Sequence, residues 1–425
     1  MKMPTVVDAI AGIRSGRLTA ETLTHACIDA IERHNPALNA FVHRDYESAL
    51  TAARSVDGTM RSGAAATLGP LAGVPFGVKD LEYCAGMPTT RGSRWFAGGL
   101  PSDFDDIHVA RLRQAGAIPI GKTAAPEFGA WAYTASPLLG VTRNPWNPDR
   151  TPGGSSGGST AAVASGMVPF CTGGDGGGSI RTPAAFTGLV GLKTTYGRIP
   201  TFGITHLAQN SVFGCLATTI TDTALLLDIM AGPDARDRTS LPPPGVSYVA
   251  ALDQLELRGL RVAWSLDLGF AVVDPEVAAL CERAARWLIE SIEAERVDVA
   301  VQLDDYIRMY GHVEGVDQFV NIDRDLWQNR LDELDPLLAP GWAKTRPMRK
   351  AATPFATSCC QGWLASTCAS RSWTRMANCC NPPRRFAMRS PWRSLTSPCP
   401  WFASPRRSAA SKARSCCNTV CPPSS

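Results

Sequence analysis

Apolar residues recur along this chain with two different periods. Leu23, Cys27, Ile28 and Ile31 share one helical face, and the stripe predicts a helix that ends near Asn35-Pro36. Val74, Phe76 and Val78 alternate instead, the period of a half-buried strand, which sends Lys79 to the opposite face at the strand's end. The small residues of 158–165 suit a helix, and residues 167–172 read as a short apolar strand. Residues 221–231 predict a further apolar helix and 260–265 a strand. Asp274-Pro275 supplies an N-cap with proline at the first helical position, for a helix running to about Glu295. Helices and strands in alternation predict an α/β layer architecture.

Two glycine runs that carry serine interrupt this pattern. Residues 153–159 read GGSSGGS and residues 175–181 read DGGGSIR, which places Ser155 before the helix at 158–165 and Ser179 after the strand at 167–172. Glycine at this density costs conformational entropy, so folds keep it where the backbone takes unusual angles or approaches another group closely. Consecutive N–H groups without side chains also suit an oxyanion hole. The plain alternative is a pair of flexible surface loops. Lys79 is open to two readings of its own, a solvated charge or a base. The second requires the neutral amine, hence a desolvated site.

Other chemistries find less support. Residues 153–157 fit the G-x-S-x-G nucleophile elbow, with His206 or His312 as base, but the proline-rich NPWNPDRTP before it does not suit the strand that an elbow needs. Neither G-x-x-x-x-G-K-[ST] nor a helix-opening G-x-G-x-x-G occurs. The six histidines, His25, His34, His43, His108, His206 and His312, form no H-x-x-x-H pair, so no metal and no cofactor is expected. At 425 residues the chain is long enough for one large enzyme domain. It has no apolar run of about 18 residues and no basic-then-apolar leader, leaving the cytoplasm as the expected location.

The order of these motifs resembles the amidase signature family. The resemblance rests on GVPFGVKD at 73–80, PTTRGS at 88–93, GAIPIGKT at 116–123, RNPWNP at 143–148, the two serine runs and GLKTTYGRIP at 191–200. It runs from about residue 5 to about residue 340. It implies an α/β fold, a mixed β-sheet enclosed by helices on both sides. It also implies a Ser-Ser-Lys triad of Lys79, Ser155 and Ser179, the two serines lying 24 positions apart. By this likeness Ser179 is the nucleophile of an acyl-enzyme, Ser155 bridges from a cis peptide, and Lys79 is the base. Gly176, Gly177 and Gly178, with the N–H of Ser179, are the expected oxyanion donors. Asp175 and Arg181 are expected to pair and fix the glycine turn, and Ser156 to bond backbone near the nucleophile. Phe128, Trp131 and Tyr133 in 124–139 fall near the acyl channel, where they either line a pocket or form ordinary core. The implied partner is a small-molecule amide, with no nucleic acid and no membrane, and a homodimer is allowed. The family also contains the glutamine-hydrolysing subunit of transfer-RNA amidotransferases. The aromatic loop favours a stand-alone amidase.

The end of the chain departs from this reading. Residues 351–425 hold ten Arg and Lys, no Asp or Glu, and nine of the 14 cysteines. This tail alone contributes +10 to a chain whose net charge is +4, so the remainder is acidic. A basic tail with aromatics suits nucleic acid or a membrane surface. A metal cluster would need C-x-x-C or histidine, and a disulfide framework an oxidising compartment. The preferred reading is a frameshift: a GC-rich gene read out of frame yields Arg, Ser, Pro, Cys and Trp in such excess. The expected organisation is an amidase domain over 1–345, C-terminally incomplete, and an irregular or disordered segment over 346–425. An inactive or unfolded remnant is then the competing functional outcome.

Overall fold

Strands buried on both faces occupy the centre of the structure. This computed structural model describes residues 2–202, 211–305, 310, 326 and 329–338, all of them within the unit Met1–Pro354. His206, His312 and the whole segment 346–425 lie outside the described residues.

The strands are β1 (Phe41–Arg44), β2 (Pro75–Lys79), β3 (Ile118–Thr123), β4 (Ala135–Ser136), β5 (Gly140–Val141), β6 (Phe170–Asp175), β7 (Val190–Gly191), β8 (Val212–Ala217), β9 (Arg261–Val262) and β10 (Glu295–Arg296). Six of them form one sheet in the order β1-β3-β2-β6-β8-β7. The central pairs β3-β2 and β2-β6 are parallel, and β1, β8 and β7 join antiparallel. The sheet is therefore mixed. Every residue of β2, β6 and β8 is buried, the signature of a sheet covered on both sides. Phe76 and Val78 thus belong to a fully buried strand and not to a half-buried one, and Val74, just before it, is buried as well. Phe76 and Phe170 stack across β2 and β6 with ring centroids 5.0 Å apart, each contributing on the order of 2–3 kcal/mol by burial.

The helices are α1 (Val6–Arg14), α2 (Ala20–Leu38), α3 (Tyr46–Arg61), α4 (Ile107–Gln114), α5 (Gly157–Ala164), α6 (Arg181–Thr187), α7 (Ile220–Met230), α8 (Tyr248–Leu252) and α9 (Pro275–Ser291). The apolar stripe of α2 buries Leu23, Cys27 and Ile31. This helix runs through Pro36 to Leu38, past the expected end. The proline falls in the last turn, where a missing N–H breaks only one bond, and Asn39 closes the helix at φ +52°. The Asn35 carboxamide then ties the exit: its Oδ1 accepts from Ala40 and Phe41 N–H, and its Nδ2 donates to Phe41 O.

Three other boundaries shift. The strand expected at 167–172 is β6 at Phe170–Asp175; Pro169 lacks the amide that a central strand must donate. Only Arg261–Val262 of 260–265 pairs as strand, and α9 stops at Ser291, followed by β10 alongside β9. Helix α9 also has no buried residue: Val277, Leu280, Trp287 and Leu288 are each at least half exposed.

Helix α5 sits directly against the sheet because it is built from small residues. A Cβ on Gly158 would collide with the backbone of Ala124, so only glycine allows this approach. The hydroxyls it buries are paired: Ser159 Oγ donates to Thr172 O at 2.8 Å and lies 2.7 Å from Thr123 Oγ1. The same close packing delivers the start of α5, and Ser155 before it, to the C-terminal ends of β2 and β6.

Candidate active site

Lys79 closes β2 and is 1% exposed. Its backbone N–H donates to Thr172 Oγ1 at 3.1 Å, which fixes the strand end against β6. Its Nζ donates to Ser155 Oγ at 2.8 Å and to Gly174 O at 3.3 Å. Burial lowers the lysine pKa from the ordinary 10.5 to about 8, while the carboxylates of Glu82 and Asp175 pull it upward. A lysine so shifted exchanges its proton closer to neutral pH than an exposed one does, and Lys79 is not the solvated charge of the first reading.

Ser155 follows a cis peptide from Gly154 and is 2% exposed. Its neighbour Ser156 joins the two serine runs: Ser156 N–H donates to Ser179 O at 3.2 Å, and Ser156 Oγ to Gly174 O at 3.4 Å. Ser179 is half-buried, and its hydroxyl has no hydrogen bond among the described residues.

Asp175 organises the turn that carries Ser179. Its carboxylate accepts from the N–H groups of Gly178 at 2.8 Å, Ile180 at 3.2 Å and Arg181 at 3.2 Å. It also takes a fork from Arg181, Nε at 2.9 Å and Nη2 at 2.8 Å. Burial alone would raise this carboxyl, but the Arg181 contacts and the amides hold it below the usual carboxylate range. The Gly178 amide, expected among the oxyanion donors, is engaged by Asp175 and is not free for that role. The N–H groups of Gly176, Gly177 and Ser179 have no acceptor among the described residues.

The aromatic loop divides into two roles. Phe128 is 6% exposed and packs with Trp95, Leu334 and Leu338, so its ring is core. Trp131 and Tyr133 stack on each other, centroids 5.8 Å apart and 12° between planes. Their backbone packs against Gly154, next to Ser155: a Cβ on that glycine would fall 2.7 Å from the carbonyl oxygens of both. The Trp131 indole N–H is buried without a partner among the described residues.

Three neighbours of the site gave little or no sequence signal. Gly129, at φ +73°, roofs Ser155: a Cβ there would lie 3.2 Å from Ser155 Oγ. Tyr310 stands over the glycine turn, its hydroxyl 2.7 Å from where a Gly177 Cβ would be. Glu82 forms a turn with Lys79, its N–H donating to Lys79 O at 2.9 Å. An acidic residue three positions after a strand-ending lysine was the only available hint of the last.

Among the described residues no helix is long and apolar enough to cross a membrane, and no group of three or more His, Cys, Asp or Glu could hold a metal ion.

Known proteins place this geometry in a family. A glutamyl-tRNA(Gln) amidotransferase subunit from Chloroflexus aggregans is 43% identical over 287 residues, 67% of this chain and 58% of that protein. An acylamidase of Rhodococcus erythropolis is 41% identical over 278 residues, 65% of this chain and 57% of that protein. The chain thus spans less than two thirds of the length of these curated relatives. The crystal structure of a bacterial aryl acylamidase of the amidase signature family superposes with a TM-score of 0.74 at 28% identity, covering 81% of this chain and 73% of that one. The sequence profile described as Amidase matches residues 22–343, and the chain belongs to the amidase family.

Proposed function

We propose that this chain hydrolyses a carboxylic amide through a Ser179 acyl-enzyme, with Ser155 and Lys79 as proton relay. The observation that carries the reading is the 2.8 Å bond from Lys79 Nζ to Ser155 Oγ between two almost wholly buried side chains. Neutral Lys79 accepts the Ser155 proton, Ser155 takes the proton of Ser179, and Ser179 Oγ attacks the carbonyl carbon. The N–H groups of Gly176, Gly177 and Ser179 hold the tetrahedral oxyanion, each such donor being worth about 3 kcal/mol. The relay then returns the proton to the departing amine. Water clears the acyl-enzyme by the same route, releasing the carboxylic acid and restoring Ser179.

The stacked Trp131-Tyr133 pair, whose backbone packs on Gly154, supports a stand-alone amidase acting on aryl or apolar acyl groups over a glutaminase component of a larger complex. The buried free thiols of Cys27, Cys84, Cys171 and Cys215 support a reducing, cytoplasmic setting. The test is release of p-nitroaniline from an acyl anilide. The wild-type chain should turn over and Ser179→Ala should not, at unchanged circular dichroism; retained hydrolysis in that variant would remove the nucleophile assignment.

A second reading, an inactive remnant, draws on the bare apolar stripe of α9 and on the tail's composition. A wild-type chain that neither unfolds cooperatively nor turns over substrate would favour it.

A further inference from the structure

The mechanism above leaves unused a buried acid and imidazole directly behind the lysine. Glu82 and His108 are both completely buried, and His108 Nε2 lies 3.0 Å from Glu82 Oε2. Glu82 Oε1 and His108 Nδ1 have no partner among the described residues. Leaving such atoms unpaired is destabilising, so the pair is a poor way merely to fill a core. Its surroundings tie it to the site. The Glu82 backbone is bonded to Lys79 O, and the His108 ring stacks on Phe213 with centroids 4.1 Å apart. Phe213 in turn pairs in register with Gly174, whose carbonyl accepts from Lys79 Nζ and Ser156 Oγ.

Two carboxylates act on the Lys79 charge, Glu82 and Asp175, and they differ in their partners. Asp175 is matched by the permanent charge of Arg181 and by three amides. Glu82 has an imidazole, which in its neutral form donates a hydrogen bond yet leaves the carboxylate charge uncompensated. We propose that Glu82, held by His108, is a positioning residue that sets the proton affinity of Lys79. This inference rests on Lys79 being the base.

The other ionisable groups around Glu82 do not supply the same influence. From β3, Lys122 Nζ donates to Glu82 O at 2.6 Å but lies 3.6 Å from Asp80 Oδ1, where its charge is already paired. Ahead of α4, Asp106 accepts from Tyr83 N–H at 2.9 Å, and burial lifts its carboxyl to about 6. From β6 and β8, the thiols of Cys171 and Cys215 are pushed up by burial and stay neutral.

The sign follows from the charge. A negative Glu82 favours protonated Lys79, so removing it makes the amine easier to deprotonate and moves the acid limb of the rate profile to lower pH. The test measures the rate at which a fluorophosphonate labels Ser179 between pH 5 and pH 10, in the full chain, for wild type, Glu82→Gln, His108→Leu and Lys79→Ala. We expect the Glu82→Gln limb to fall by about one pH unit, a roughly tenfold faster labelling on the acid side. We expect His108→Leu, which removes the hydrogen bond that holds the carboxylate, to shift the limb the same way. A limb unmoved in both variants, beside a wild-type limb that Lys79→Ala abolishes, overturns this inference and leaves the lysine base intact. Should Glu82→Gln fail to fold, His108→Leu alone decides. Absence of labelling at every pH, or a limb that survives in Lys79→Ala, removes both the base and this inference.

Discussion

Arg181 grips Asp175 through two nitrogens, Nε at 2.9 Å and Nη2 at 2.8 Å, while the same carboxylate gathers three backbone amides around Ser179. The carboxylate is fully buried and the guanidinium half exposed. The acid is thus the centre of the turn, and the arginine is its lid.

Removing the two partners should therefore cost different amounts. Asp175→Asn turns an amide N–H group against backbone donors and is expected to destabilise the fold by about 2–4 kcal/mol. Arg181→Ala loses a half-exposed ion pair, expected at about 1 kcal/mol. Urea unfolding checks both. Equal losses would mean that the ion pair, and not the amide clamp, holds the turn.

Lys79 should weaken the fold that it serves. Its folded-state pKa of about 8 lies below the ordinary 10.5, so the unfolded chain binds more protons between those values and stability rises with pH across that window. Below pH 8 the charged, buried amine costs about 3 kcal/mol. Lys79→Met is expected to be inactive yet more stable than wild type at pH 7, with the advantage shrinking as pH approaches 10. A stability difference independent of pH would contradict a lysine pKa lowered by burial.

Gly177 and Tyr310 should be coupled. A methyl group at Gly177 would fall 2.7 Å from the Tyr310 hydroxyl and displace the oxyanion turn, with an expected loss of about a hundredfold in kcat. Tyr310→Ala removes the hydroxyl together with the ring carbons that lie 2.8 and 3.1 Å from the same point. The double variant should recover at least part of the loss, giving a coupling of about 1 kcal/mol in a double-mutant cycle. Strict additivity would separate Tyr310 from the turn.

The aromatic loop should answer to two different assays. Phe128→Ala empties a packed cluster with Trp95 and Leu334 and is expected to cost about 3–5 kcal/mol in stability. Trp131→Ala, which loses packing at the edge of that cluster, should cost less, about 1–2 kcal/mol, and raise KM for aryl amides relative to that for acetamide. An unaltered KM ratio would take Trp131 out of substrate contact.

We read residues 346–425 as an out-of-frame product. Sequencing the gene through codons 330–425 should reveal, in another frame, an acidic and periodic continuation containing a D-x-L-L-x-P-T-like strand. The chain so continued should be more soluble, because the stripe of Val277, Leu280, Trp287 and Leu288 would gain a cover. Absence of such a continuation in every frame would make the tail the chain's own.

What the sequence disclosed was local. Lys79, Ser155 and Ser179 stand out because glycine runs and strand ends mark themselves by spacing, and the alternation of elements pointed to the layer architecture. Contacts between segments far apart in the chain left no such mark. The Gly178 amide is taken up by Asp175, and Phe128 packs as core because Leu334 and Leu338 arrive from much later in the chain. The passage of α2 through Pro36 depends on the Asn35 side chain reaching forward to Ala40 and Phe41, a bond that apolar periodicity cannot register.

Gly129 packs so close to Ser155 that a Cβ there would stand 3.2 Å from its Oγ, and the serine is almost wholly buried. In the relay proposed above, the middle carrier is thus shielded from bulk water, and a proton handed to it from Ser179 finds the lysine amine 2.8 Å away. Such a corridor would keep the nucleophile's proton in reserve for the leaving amine, so that the same particle can be handed back on each half of the cycle.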